Sequence, residues 1–302
     1  MMKLGLHTAI LADLNYEEMV DYVAGAGFQS LEVCCWPKGR ADRRYAGVTH
    51  IDVEDLTEEK AEYYVNYAAS RGIQIACLGY FPNVLSDDAE VARVSIGHIK
   101  KVILAASMMK VNLVTTFIGK NKNKTVDENI TLMKEAWPPI LKLAEEKGVR
   151  IAIENCPMLY TEDEWPGGNN VATTPYVWRE MFRMSPNIGL CYDPSHLVLQ
   201  GMTEWKPVTD FPDRIFHVHL KDIRIDQDMV EEYGRFSYPS LWHRPKMPGL
   251  GEVDFPGLIT RLNEIGYQGD ACIECEDRAF EGSMEDTKKG IELSCRYLRQ
   301  YM

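Results

Sequence analysis

The chain has 302 residues, 45% of them hydrophobic, a formal charge of −12 and a pI near 5.1. That charge argues against a nucleic-acid partner, which needs clustered Lys and Arg to neutralise phosphates. No segment approaches the apolar length of a membrane span, and the opening MMKLGLHTAILADLNYEE has no long apolar core with a small-residue cleavage site, so a soluble cytoplasmic protein is expected.

One phrase repeats: an amphipathic helix closes near a Gly or polar turn, and a short β-branched run follows. KLGLHTAI opens the series as a strand over 3–8. VDYVAGAGFQSLEV predicts the next at 29–34, YVNYAASRGIQIACL at 73–79, ILAASMMKVNLVTTF at 112–117 and LKLAEEKGVRIAIE at 150–154. MFRMSPNIGLCYD, DFPDRIFHVHL and LNEIGYQGDACIE add 188–192, 214–220 and 270–275. Helical periodicity fills the intervals. In TEEKAEYYVNYAASRG, Thr57 can cap while Glu58 and Glu59 favour the positive helix end. In DFPGLITRLNEIG, Asp254 caps and Gly266 stops.

Strands alternating with helices imply parallel pairing, and eight such units predict an α/β protein of the closed (β/α)8 TIM barrel type, a single domain over 1–302. An open doubly wound sheet is the alternative, but no GxGxxG follows the first strand, so a dinucleotide site has no support. Two long connections, 156–172 and 223–253, both follow strands, on the face where barrels carry their active sites. The eight cysteines sit mostly in apolar runs, as reduced core thiols do; the lone CxxC, Cys272 to Cys275, lacks a second pair for zinc.

The segment RIFHVHLKD places His217 and His219 on one face of a buried strand, with Ile215 beneath them. Buried imidazoles need partners. Strand five ends in Glu154, strand six in Asp193 with His196 three residues on, and strand eight supplies Glu274 and Glu276. Four consecutive strands thus bring Glu154, Asp193, His219 and Glu274 to one rim. Crowded carboxylates raise one another's pKa unless a divalent cation is present, and three oxygens with one imidazole suit Mn²⁺, Mg²⁺, Co²⁺ or Zn²⁺. His217, one pleat deeper, reads as a supporting or packing residue, and Glu276 as solvated or paired with Arg278.

A cation holding a sugar's hydroxyl and carbonyl acidifies the carbon between them and stabilises an enediolate. Glu154 and Glu274, on strands across the barrel, are the natural acid/base pair. Returning the proton to the opposite face is epimerisation, to the next carbon isomerisation, and loss of a β-hydroxyl is dehydration. His196 and Lys221 are candidates to hold substrate oxygens, the latter with an equal reading as an ion pair to Asp222 or another rim carboxylate. His7 is a further rim candidate. Gly249 and Gly251 invite a phosphate reading, which an ordinary turn explains as well.

IAIEN, DPSHL, HVHLKD, PGLGEVDF and GYQGDACIECED together resemble the sugar phosphate isomerase/epimerase proteins of the xylose isomerase-like barrel superfamily, most clearly over 148–300. The resemblance implies one divalent metal, most often Mn²⁺, held by Glu154, Asp193, His219 and Glu274, with the glutamates as acid/base pair and His196 beside the substrate. It implies a small-molecule carbohydrate substrate and admits a homo-oligomer. Inosose dehydratase and enzymes acting on 3-oxo-glycosides are similar too, so a lyase is the alternative activity, and a non-catalytic sugar-binding subunit the alternative class. Xylose isomerase itself and the three-zinc endonucleases of the superfamily are disfavoured, for want of the lysine-bearing motif and of enough histidines. Trp165, Asn169, Trp242, His243 and Arg244, in the two long connections, are candidates to shape the substrate pocket, Trp165 and Arg244 foremost.

Overall fold

The structure, a computed structural model, describes residues 2–39, 45–159 and 168–302. Eight parallel strands close into a barrel: β1 Lys3–His7, β2 Ser30–Cys34, β3 Gln74–Gly79, β4 Leu113–Thr116, β5 Arg150–Glu154, β6 Ile188–Tyr192, β7 Ile215–Leu220 and β10 Asp270–Ile273. They follow one another round the ring in chain order, and β10 pairs with β1 to complete it. Each agrees with the expected strand to within two residues at either end.

Alternation along the strands divides the side chains. Leu4, Leu6, Leu31, Val33, Ile151, Ile153, Val218 and Leu220 belong to the large core cluster that packs the strands against the helices. The opposite set faces the barrel interior, where Ala76, Cys77, Leu113, Ala152, Cys191 and Phe216 form a separate small cluster. Burying an aliphatic side chain of the first set stabilises by about 1.5–3 kcal/mol.

Local signals set the helix ends. Asn15 and Glu18 form a capping box on Tyr16–Gly25, and Thr125 with Glu128 form another on Val126–Ala136. Thr57 accepts from Lys60 N at 3.3 Å at the start of Glu58–Ser70. Asp254 accepts from Gly257 N at 3.0 Å on Phe255–Glu264, and Gly266 ends that unit at φ 69°.

Two features depart from the expected pattern. The register slips between Leu190 and Cys191 of β6 against β7, so Ile215 opposes Leu190 but His217 opposes Cys191. The extra residue on β7 flips the alternation. Phe216, not Ile215, therefore lies inside the barrel near the histidines, over Gly189, while Ile215 joins the outer core. The second departure is that 223–253 is not irregular throughout. It carries strands β8 Asp222–Ile225 and β9 His243–Lys246, paired antiparallel as their own two-stranded sheet, with a helix Gln227–Tyr233 between them. No described helix is long and apolar enough to cross a membrane.

Candidate active site

The site lies where β5, β6, β7 and β10 end. Glu154 closes β5 and is buried. Asp193 follows β6 and is buried completely; Pro194 behind it disfavours helical backbone at Asp193. Asn155 grips the Asp193 backbone from both sides, donating from Nδ2 to its carbonyl and accepting its N–H, each at 2.8 Å. Ser195 N donates to Asp193 Oδ1 at 2.8 Å, leaving Oδ2 for other uses. Asn170 clamps the chain after Glu154, donating to the carbonyls of Glu154 at 3.0 Å and Cys156 at 2.7 Å.

Glu154, Asp193, His219 and Glu274 each offer one ligand atom, and the four atoms lie within 4.8 Å of one another. His219 Nδ1 is 3.4 Å from Glu154 Oε1 and 3.3 Å from Glu274 Oε2. Glu154 Oε1, Asp193 Oδ2, His219 Nδ1 and Glu274 Oε2 are all buried without a hydrogen-bond partner among the described residues. Orphaned buried polar atoms are costly. Three hard oxygens and one imidazole nitrogen converging in this way fit a single divalent cation.

The partner that the two histidines need is Glu32, which the sequence reading did not single out. It sits on β2, completely buried, where the β2–β3 register also slips. Its Oε2 lies 3.0 Å from His217 Nε2 and 2.6 Å from His219 Nε2, Thr115 donates its hydroxyl to Oε1, and His7 Nε2 is 4.0 Å from Oε1. Burial would raise the Glu32 pKa, but His219, His7 and His217 outweigh it and hold the carboxyl well below its usual range. An ionised carboxylate only accepts, so both Nε2 atoms donate, and His219 turns Nδ1 toward the rim. The available signal was a glutamate inside the apolar run SLEVCC, the same oddity that drew notice to HVHL.

Electrostatics at the rim differ from the expected mutual repulsion. Burial and the Glu274 charge push Glu154 upward, yet His219 and His196 bring it below the usual range. Burial likewise opposes ionisation of Glu274, but Lys221, His219 and His7 drive its pKa down. Neighbouring cationic side chains thus keep both carboxylates ionised. Conversely, His219 is raised well above 6.5 against its burial by Cys191, Glu32 and Glu154, and His7 is raised to about 9 by Cys34, Glu32 and Glu274.

Other expected residues divide. His196 Nε2 lies 3.0 Å from Asp193 Oδ2 and 3.5 Å from Glu154 Oε1, and His7 stacks edge-on to His219 with ring centroids 5.5 Å apart. Lys221 is buried at the rim, 3.4 Å from Glu274 and 2.6 Å from Glu276, so Glu276 pairs with it; Asp222 faces backbone N–H groups instead. His243, on β9, is driven down to about 4, chiefly by burial, with His196, Arg244 and Lys221 adding to the effect. Arg244 is exposed and spends Nη1 on the carbonyls of Ser240, Leu241 and His243. Trp165 lies outside the described residues.

Known proteins share this architecture. The chain is 28% identical over 193 residues to an inosose dehydratase of Geobacillus thermodenitrificans, a match spanning 60% of each chain. It superposes on a D-psicose 3-epimerase of Clostridium cellulolyticum solved with D-tagatose, at a TM-score of 0.70 and 14% identity over 99% of each chain. It also superposes on the IOLI protein with a bound zinc atom, at a TM-score of 0.69 and 17% identity over 100% of this chain and 99% of the other. At such identities the structural likeness speaks for the fold. Residues 20–301 match the family described as xylose isomerase-like TIM barrel, and the chain belongs to that family.

Proposed function

We propose that this protein is a divalent-metal-dependent isomerase or epimerase acting on a sugar, keto-sugar or polyol derivative. One observation carries the reading: Glu154, Asp193, His219 and Glu274 converge within 4.8 Å through buried atoms left without a hydrogen bond among the described residues, with His196 and Lys221 approaching the carboxylates as charge partners. These four residues would hold the ion. A zinc atom in the similar IOLI protein supports a metal on this scaffold, and the oxygen-rich donor set favours Mn²⁺ while admitting Mg²⁺, Co²⁺ or Zn²⁺.

A bound cation supplies Lewis acidity at a substrate carbonyl and its neighbouring hydroxyl, acidifying the C–H between them. The residues do the rest. Glu154 ends β5 and Glu274 directly follows β10, strands three positions apart round the ring, so they reach a bound sugar from different sides. Both carboxylates are held ionised, ready to accept a proton from carbon. One carboxylate takes the proton from carbon, and the other, having first accepted a proton from a substrate hydroxyl or from water, delivers that proton to the opposite face or the adjacent carbon. Lys221 and His196, both cationic and buried beside these carboxylates, donate hydrogen bonds to substrate oxygens. His7 closes the rim from β1.

A dehydratase on the same residues is the second reading, favoured by the match to inosose dehydratase. The two part at the fate of the deprotonated substrate. Purified protein with Mn²⁺ and a panel of ketoses and inososes in D₂O, followed by NMR, separates them. Solvent deuterium entering at carbon without loss of water supports the isomerase or epimerase; release of an unsaturated product supports the lyase. Sugar binding with neither outcome, across the panel, sinks both and leaves a binding protein.

A further inference from the structure

The loop 248–253, PGLGEV, wraps an anion that the chain itself supplies. Asp222 begins β8 directly after Lys221 and is 1% exposed. Its Oδ2 accepts from Gly249 N and Gly251 N, each at 2.9 Å. Its Oδ1 accepts from Ile223 N at 2.8 Å and Val253 N at 3.0 Å. The loop is shaped for this contact. Gly249 adopts φ +94°, and a Cβ on Gly251 would stand 2.3 Å from Asp222 Oδ1 and 2.4 Å from the Ile223 carbonyl.

Convergent backbone N–H groups form the kind of concavity that binds phosphate, and barrels commonly build one in the loops after the seventh and eighth barrel strands. This cradle lies in the connection after β7, one residue from Lys221, which contacts Glu274. Here its donors are committed to a fixed carboxylate. A phosphate arriving at the same place would find the hydrogen bonds taken and meet a negative charge.

We propose that Asp222 acts as a resident anion in the cradle, sealing what would otherwise be a phosphate subsite and restricting the active site to sugars without a phosphate at that end. The restriction on substrate rests on the proposed function; the sealing of the cradle does not. Asp222 is a specificity-determining residue in this view, and it touches no reacting atom.

The test follows backbone amide resonances of the full chain during titration with inorganic phosphate, with chloride at matched ionic strength as control. In the wild-type protein, Ile223, Gly249, Gly251 and Val253 should show no saturable shift, and a saturable shift there overturns the proposal. In Asp222→Ala the same four amides should shift saturably, with phosphate bound at least about tenfold more tightly than by the wild type. A folded variant that gains no phosphate binding also overturns it. If the alanine variant does not fold, Asp222→Ser, which keeps one acceptor, takes its place; if that fails too, the wild-type titration decides. Paired substrates, a free ketohexose and its terminal phosphate ester, provide the functional arm. Faster deuterium exchange with the ester sinks the proposal. Exchange with neither rejects this ketohexose as substrate, while the amide shifts still judge the cradle.

Discussion

His219 Nε2 and Glu32 Oε2 meet at 2.6 Å inside the barrel, joining β7 to β2 across 187 residues of sequence. The contact sets which ring nitrogen faces the rim. Carboxylate partners of this kind orient a metal-binding imidazole and raise its basicity, and losing one costs about 10–100-fold in metal affinity. Glu32→Gln should therefore weaken Mn²⁺ binding by about that factor. The weakening should appear in a titration of free Mn²⁺ by electron paramagnetic resonance, independently of turnover. An unchanged affinity in a folded variant would remove Glu32 from any role in presenting His219.

Under the proposed mechanism Glu274 has a different task. Glu274→Gln keeps the size of the side chain but removes the proton acceptor, so deuterium exchange should fall by about 10²–10⁴-fold while sugar binding largely persists. Glu154→Gln should do the same. Equal exchange in either variant would exclude that residue as the acid/base.

Under the proposed function, protons and metal would compete for this rim. His219 is raised well above its ordinary value, so at neutral pH the metal-free protein carries a proton that an ion at Nδ1 must displace. Mn²⁺ uptake should release protons and strengthen as pH rises. Calorimetry in two buffers of different ionisation enthalpy measures this, and equal heats in both would contradict it.

Stability of the metal-free protein should peak in mildly acidic solution. Glu32, Glu154 and Glu274 have depressed pKa values, so their contribution is present above the unfolded value of about 4.3 and is lost as pH falls through the folded values. His7 is raised from 6.5 to about 9, so its contribution is complete below 6.5 and vanishes as pH climbs through about 9. That loss is on the order of 3 kcal/mol at most. Urea midpoints measured from pH 4 to pH 10 should rise and then fall. A midpoint that stays flat above 6.5 would contradict the assignment for His7.

Away from the site, Trp137 is fully buried between two helices and donates from Nε1 to the Ile118 carbonyl at 3.2 Å. Trp137→Ala should cost about 3–5 kcal/mol in chemical denaturation. A cost below about 1 kcal/mol would mean that the helix layer repacks around the gap.

The eight barrel strands were legible because each is a short run rich in apolar or β-branched residues, seven of them preceded by a helix and its closing turn, and because one buried face repeats throughout. The hairpin escaped notice for the opposite reason. DIRI and HRPK are only four residues each; the first alternates but follows β7 after a single residue, and the second is polar and interrupted by Pro245, so neither stands apart as a strand of its own. The slip at Cys191 was equally hidden, since a bulge leaves no mark in composition, and it exchanged Phe216 for Ile215 inside the barrel. At the rim, Glu154, Asp193 and Glu274 stood out as carboxylates at strand ends. Glu32 did not, because it is a mid-strand residue whose partners are far away in sequence. Asn155 and Asn170 were missed for a related reason: their work is on backbone atoms, which no motif records.

The hairpin β8–β9 forms no ladder with any barrel strand. A piece joined in this manner can be lengthened, shortened or exchanged during descent while the cylinder beneath it stays in register. Chains that keep one proton-handling rim can thus diverge in appetite for substrate, and a graft of the 222–246 module between two such chains would carry any preference it encodes along with it.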